Sequence, residues 1–155
     1  MGKTNTEAIV LVQKGNAYKA FERRTISIND PLDGEVQIET ESFGLNYADV
    51  VARHGQYREA PPMPSVIGYE IVGKVVQVGA KVSPYLIGKR VLGFCRFGGY
   101  ARLVNTKETA VVKIDDLVAS EALALCTQSV TAYYMAEYIS PIMKGDKVLI
   151  HSAAG

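Results

Sequence analysis

Between Gly68 and Gly79 the sequence runs Tyr-Glu-Ile-Val-Gly-Lys-Val-Val-Gln-Val, and this stretch constrains the fold most. β-Branched side chains lose rotamer freedom in a helix and pack well on a pleated surface. Ile71 to Val78 is therefore expected to be a strand, entered through Gly68 and closed by Gly79. Gly73 inside it marks a bulge or the close approach of another backbone. Shorter strands are expected at Ala8–Val12, Phe21–Ile28, Val36–Thr40, Arg90–Phe94, Gly99–Val104 and Thr109–Lys113. Val36–Thr40 alternates cleanly, as a half-buried strand does. Asn29-Asp30-Pro31 and Asp33-Gly34-Glu35 carry turn chemistry. Many short strands at this spacing point to a barrel or a sandwich. Between them, Ala60 to Val66 holds Pro61, Pro62 and Pro64, which excludes helix and central strand and leaves a stiff extended loop.

The pattern changes near Asp115. Asp115–Leu125 is rich in helix formers with acids at its start, and a second helix is expected from Gln128 to Tyr138, ended by Ser140-Pro141. After the turn Lys144-Gly145-Asp146, Lys147–His151 reads as a buried strand leading into Ser152-Ala153-Ala154-Gly155. A strand followed by small residues is how a dinucleotide-binding unit opens. Length of 155 residues allows one domain, or one with part of another. The expected division is 1–125 for a β-rich domain and 126–155 for a linker helix and the start of the second unit. Lysine and arginine total 17 against 16 acids, so nothing in the charge points to nucleic acid or an anionic membrane. No apolar run approaches the roughly 20 residues of a spanning helix. Met1 to Thr6 lacks the apolar core of a signal peptide, and two cysteines are too few for a disulfide framework, so a cytoplasmic location is expected.

One short helix carries polar groups at both ends. In Phe43–Tyr57, Asn46 suits an N-cap, with Asp49 at the capping-box position. Asp49 and Arg53 stand four apart and are expected to pair on one face. Gly55 stops the helix. Asn46 offers an amide N–H and Tyr57 a phenolic O–H. This stretch, with Gly68–Gly73, Val130-Thr131-Ala132-Tyr133 and Val148–Gly155, resembles the zinc-free quinone oxidoreductase branch of the medium-chain dehydrogenase/reductase superfamily. Its synaptic vesicle VAT-1-like members are the nearest in pattern. The likeness runs from about Glu7 onward.

The resemblance implies a mainly β fold with linker helices: a GroES-like, partly open β-barrel followed by the first strand of a truncated Rossmann domain. It implies the N-terminal part of an oxidoreductase that transfers hydride from NADPH to a quinone or enone, with the fragment inactive alone. A complete small barrel protein is the alternative reading. Asn46 and Tyr57 are the implied catalytic donors, and Asn46, Thr127, Gln128 and Thr131 the implied cofactor contacts. Ala154 and Gly155 would begin the pyrophosphate turn. The zinc-binding branch carries cysteine where Asn46 stands and histidine where Tyr69 stands, with a third ligand near Thr127, so no metal is expected. A second tyrosine found in some quinone reductases falls at Val51, which puts a two-tyrosine arrangement in question. Glu70 is expected to buttress the barrel through a charged partner. Implied partners are the small-molecule acceptor, the missing C-terminal nucleotide-binding portion and a second copy when full length. Two other functions stay open: a VAT-1-like trafficking or interaction protein that keeps the fold, and a co-chaperonin-like ring former. The three prolines of the 60–66 loop speak against the last, which needs a long mobile loop.

Overall fold

Strand β5, Glu70–Val78, forms as expected and sits at the centre of a five-stranded sheet. A computed structural model describes residues 2–151 of the chain. The five-stranded sheet runs in the order β7 (Leu103–Lys107), β3 (Glu35–Phe43), β5, β6 (Arg90–Phe94), β8 (Val111–Lys113). A second sheet of three runs β2 (Phe21–Asn29), β1 (Lys3–Leu11), β4 (Ser65–Val66). Every strand pairing is antiparallel. The segment 100–102 stitches the sheets together. Its Tyr100 carbonyl accepts from Ile9 N–H at 2.8 Å, its Arg102 N–H donates to the Glu7 carbonyl at 2.8 Å, and Thr40 N–H donates to the Arg102 carbonyl at 2.9 Å. The two sheets face each other without closing into a barrel.

Ile38, Ile71, Val36, Val75 and Val91 form the core between them, each almost fully buried. The glycine inside β5 is explained by proximity. A Cβ on Gly73 would stand 2.1 Å from the Glu39 carbonyl oxygen, where β3 shifts register between Thr40 and Ser42.

Several expectations are corrected. The 99–104 segment is not a strand at its start; β7 begins at Leu103, because residues 100–102 are occupied in bridging the two sheets. The 109–113 strand shortens to β8, since Glu108–Ala110 forms a 3-10 turn. The proline loop ends in β4, a two-residue edge strand on β1. The short helices α1 (Ala17–Ala20) and α2 (Tyr47–Arg53) precede the linker, and the helix expected at Asp115–Leu125 starts later, as α3, Ala119–Leu125. Asp115 takes a positive φ of 41° and breaks any earlier helical start. Its apolar side, Ala122 and Leu123, packs with Val72 and Ile114.

The second helix, α4, spans Thr127–Tyr134 and continues through a wider π-type turn, Met135–Ile139. Ser140-Pro141 follows, as expected. No residue of α4 is buried. Lys147–Ile150 does not form the expected strand, and Val148, Leu149 and Ile150 are exposed. A strand needs a neighbour to satisfy its backbone N–H and C=O groups, and none of the described strands reaches this segment. Ser152–Gly155, including the two expected pyrophosphate residues Ala154 and Gly155, lies outside the described residues. No helix among the described residues is long and apolar enough to cross a membrane.

Candidate functional site

Helix α2, Tyr47–Arg53, forms where the sequence places it. Asn46 adopts extended backbone, and its N–H donates to Asp49 Oδ2 at 2.9 Å, the return half of a capping box. Gly55, with φ +71°, turns the chain out of the helix, and its N–H donates to the Ala52 carbonyl at 2.8 Å. The expected Asp49–Arg53 pair is absent. Asp49 faces the interior, 5% exposed, while Arg53 donates to the Gly15 carbonyl. Burial pushes the Asp49 carboxyl above its ordinary pKa, against the opposing bond from Asn46. The Tyr100 phenol neighbours this carboxylate. Its own pKa is driven up by burial and then by the Asp49 charge.

Beside α2 lies a cleft of about 580 Å³. Tyr57, Tyr69 and Phe94 line it from the β-rich body, and Cys126, Thr127, Val130 and Thr131 from the linker. Thr127, Val130 and Thr131 share one face because they are three and four residues apart on α4. Gln128, one position round the helix, turns away, and its Nε2 donates to Asn46 Oδ1 at 2.8 Å. Among the expected site residues, then, Tyr57, Thr127 and Thr131 meet in the cleft. Asn46 and Gln128 meet each other and do not line it.

The cleft walls are aromatic. Tyr69 stacks on Phe94 at 6.3 Å and leans on Phe97 at 5.2 Å between ring centroids, and Tyr57 meets Tyr69 edge-on at 6.4 Å. Burial, and next the Tyr57 phenol beside it, push the Tyr69 hydroxyl well above the ordinary tyrosine pKa. Both effects keep it a proton-bearing donor. Tyr57 and Tyr69 thus bring two phenols to one wall, while Val51 stands where some quinone reductases carry a second tyrosine. Thr127 Oγ1 is buried in the cleft wall beside the Cys126 thiol, with no oxygen or nitrogen partner among the described residues.

Glu70 is the residue whose surroundings differ most from expectation. It is 0% exposed, yet among the described residues no charged partner meets it. Its Oε1 accepts from Asn46 Nδ2 at 3.0 Å and its Oε2 from Thr127 N–H at 2.7 Å. The neighbouring Cys126 thiol is pushed up to about 11 by burial and by the charge of Glu70. Sequence reasoning passed over Tyr69 as a poor zinc ligand and set Glu70 aside as a buttress. The Gly-Tyr-Glu triplet at the mouth of β5 was the available signal, since neighbouring positions at a strand entrance send one side chain inward and the next toward the rim. Among the described residues no three His, Cys, Asp or Glu side chains converge as a metal site. A second hollow of about 410 Å³ is lined in part by Glu7, Arg23, Glu41 and Arg102. Its charges are taken up in the pairs Arg23–Glu7, Arg90–Glu41 and Arg102–Glu39.

Residues 32–116 match the model of the alcohol dehydrogenase GroES-like domain. The synaptic vesicle membrane protein VAT-1 homolog-like of Mus musculus is 38% identical over 149 residues, covering 96% of this chain and 36% of its own length. A probable quinone oxidoreductase of Schizosaccharomyces pombe is 34% identical over 149 residues, covering 95% of this chain and 45% of its own. A mycobacterial protein solved in complex with NADPH superposes with a TM-score of 0.86 at 30% identity, over 96% of this chain and 46% of that one. The chain therefore spans less than half the length of each of these relatives.

Proposed function

Given that the chain belongs to the alcohol dehydrogenase GroES-like domain family, we propose that it forms the substrate-side part of a zinc-independent quinone or enone reductase that uses NADPH. Membership in a family rich in quinone oxidoreductases supports the reaction class, and the NADPH-bound mycobacterial relative supports the cofactor. The observation that carries the reading is the pair of phenols, Tyr57 and Tyr69, on the cleft wall across from the α4 threonines.

Bound NADPH would supply the hydride. Thr127 fits a role at its nicotinamide end, because a buried hydroxyl without an oxygen or nitrogen partner is costly unless a ligand satisfies it. Thr131, on the same face, would add a second hydroxyl, with Gln128 at the edge and Ala154 and Gly155 in the pyrophosphate turn. When a quinone or enone accepts hydride at carbon, negative charge grows on its oxygen. Tyr57 and Tyr69 would each donate a hydrogen bond to that oxygen, and the phenyl walls would exclude water and strengthen those bonds. Asn46 would add an amide donor, because an amide carries two N–H groups and Glu70 takes only one. Asn46 and Tyr69 hold positions where the zinc branch places ligands, which favours metal-free carbonyl activation. In this reading residues 1–125 are the substrate domain and 126–155 the linker and opening of the nucleotide domain. A homodimer at full length and a cytoplasmic location complete it.

The test joins this chain to the downstream portion of a quinone oxidoreductase relative and follows NADPH oxidation with a small quinone. Turnover is expected from the joined protein, with no dehydrogenase activity and weak or no NADPH binding by the chain alone. Tight stoichiometric binding by the chain alone in calorimetry would refute the division between the two parts. A folded, cofactor-binding joined protein without turnover would favour a non-catalytic trafficking or interaction role.

A further inference from the structure

Glu70 sits at a junction that the reaction reading does not by itself explain. One oxygen holds the side chain of Asn46, at the N-cap of α2, and the other holds the first N–H of α4 at Thr127. Among the described residues the buried charge has no cation, but its Oε2 faces the positive end of the α4 dipole. Asn46 is gripped from both sides. A carboxylate, which only accepts, sits at its Nδ2, and the Gln128 Nε2, which only donates, sits at its Oδ1. The amide is thereby held in one orientation, with one N–H left over. Space for the carboxylate exists because residue 44 is glycine. A Cβ there would stand 2.2 Å from Glu70 Oε1 and 2.5 Å from its Cγ. The Gly44 φ is not in the left-handed region, so its backbone suits alanine and space alone demands glycine.

We propose that Glu70 is a positioning residue that ties the substrate-side donor Asn46 to the cofactor-side helix α4, with Gly44 as the notch that admits it. This rests on the reductase reading for its kinetic consequences, but the linkage itself is a property of this chain. One buried carboxylate then sets the spacing between the group that meets the acceptor and the helix that meets the nicotinamide. Misplacing it moves both at once.

Two sets of measurements test this. In this chain, amide hydrogen exchange at Thr127 and the side-chain amide NMR signals of Asn46 report the linkage without any activity. Glu70→Gln leaves one acceptor oxygen for two donors, so it is expected to speed Thr127 exchange by about tenfold or, where its oxygen turns to Thr127, to shift the Asn46 side-chain amide signals. Gly44→Ala is expected to do the same by displacing the carboxylate. In the Glu70→Ala background, Gly44→Ala should add nothing, since the clash is gone. In the joined protein, Glu70→Gln is expected to lower kcat and raise KM for NADPH, each by about tenfold, whereas Asn46→Ala lowers kcat alone and Thr127→Val raises KM alone. Thr127 exchange and Asn46 side-chain amide signals both unchanged in Glu70→Gln, or additive effects of Gly44→Ala and Glu70→Ala, would overturn the proposal. So would a lowered Tm with kcat and KM unmoved. If the joined wild type shows no turnover, the reductase reading fails, and the exchange and NMR results still decide the linkage.

Discussion

Tyr57 meets the face of Tyr69 edge-on, with ring centroids 6.4 Å apart and planes at 83°. The contact places two phenols from either side of the proline-rich loop on one wall of the cleft. Tyr69 belongs to the entrance of β5 and is braced from behind by Phe94 and Phe97. Each phenol is expected to matter to catalysis by the joined protein. Tyr57→Phe and Tyr69→Phe should each lower kcat with a small quinone by about tenfold, the loss of one hydrogen bond to a charged oxygen. Because Tyr69 is held protonated well above its usual range, its phenol should produce no fall in kcat as pH rises toward 10. The kcat–pH profiles of the joined protein and of its Tyr69→Phe variant, both keeping Tyr57, check this: the two should share one shape toward pH 10.

Cys126 borders the same cleft with its thiol pushed up to about 11, and buried Cys95 is pushed up to about 12. Since the thiolate is the reactive form, alkylation of Cys126 by iodoacetamide at pH 8 should run about a hundredfold slower than for a free thiol. The stability consequence has a definite sign. A thiol whose folded pKa exceeds its unfolded value of 9.0 contributes stability that is full below pH 9 and is lost as pH rises toward 11. Denaturant titrations should show that decline, and Cys126→Ala should make it shallower, leaving the part that Cys95 contributes.

Gly73 tests the closeness of β3 and β5. An alanine Cβ would lie 2.1 Å from the Glu39 carbonyl oxygen, which is backbone and cannot rotate aside. Gly73→Ala should therefore cost about 3 kcal/mol or abolish folding. Lys74→Ala, at the exposed neighbouring position, should change stability by less than about 0.5 kcal/mol in the same urea titration.

Arg90 braces the approach to α3. Its Nε and Nη2 bind the two Glu41 oxygens at 2.7 and 3.0 Å, and its Nη1 donates to the Asp115 and Leu117 carbonyls at 3.0 and 2.7 Å. A lysine ammonium cannot span four acceptors arranged around a planar fork. Arg90→Lys should lower Tm by about 4 °C and speed amide exchange through α3. Arg24→Lys, at an exposed pair with Glu22, should leave both unchanged.

Much of the fold was legible because local chemistry decided it. Ile71–Val78 became a strand, Gly55 ended α2, and Ser140-Pro141 followed the second helix. The site was legible in part. Tyr57, Thr127 and Thr131 do share one cleft, since i, i+4 spacing on α4 settles two of them. Glu70 was misread because its partners are an amide and a helix N–H, at positions 46 and 127, and neither carries a charge that sequence inspection would pair with it. Tyr69 did not stand out for a similar reason: its neighbour Tyr57 lies across a proline-rich loop.

By itself the sequence determined which segments extend, turn or coil, and only roughly where each ends, through side-chain branching, proline geometry and glycine permissiveness, which act within a few residues. Only the tertiary structure decided which polar groups meet. The Glu70 contacts, the phenol pair and the Arg90 brace each need two sheets and a linker helix to be packed first, and residue periodicity records which face is inward but not what waits there. The 147–151 segment shows the same division. Its residues are those of a strand, but a strand forms only against a neighbour that satisfies its backbone, and among the described residues none lies beside it.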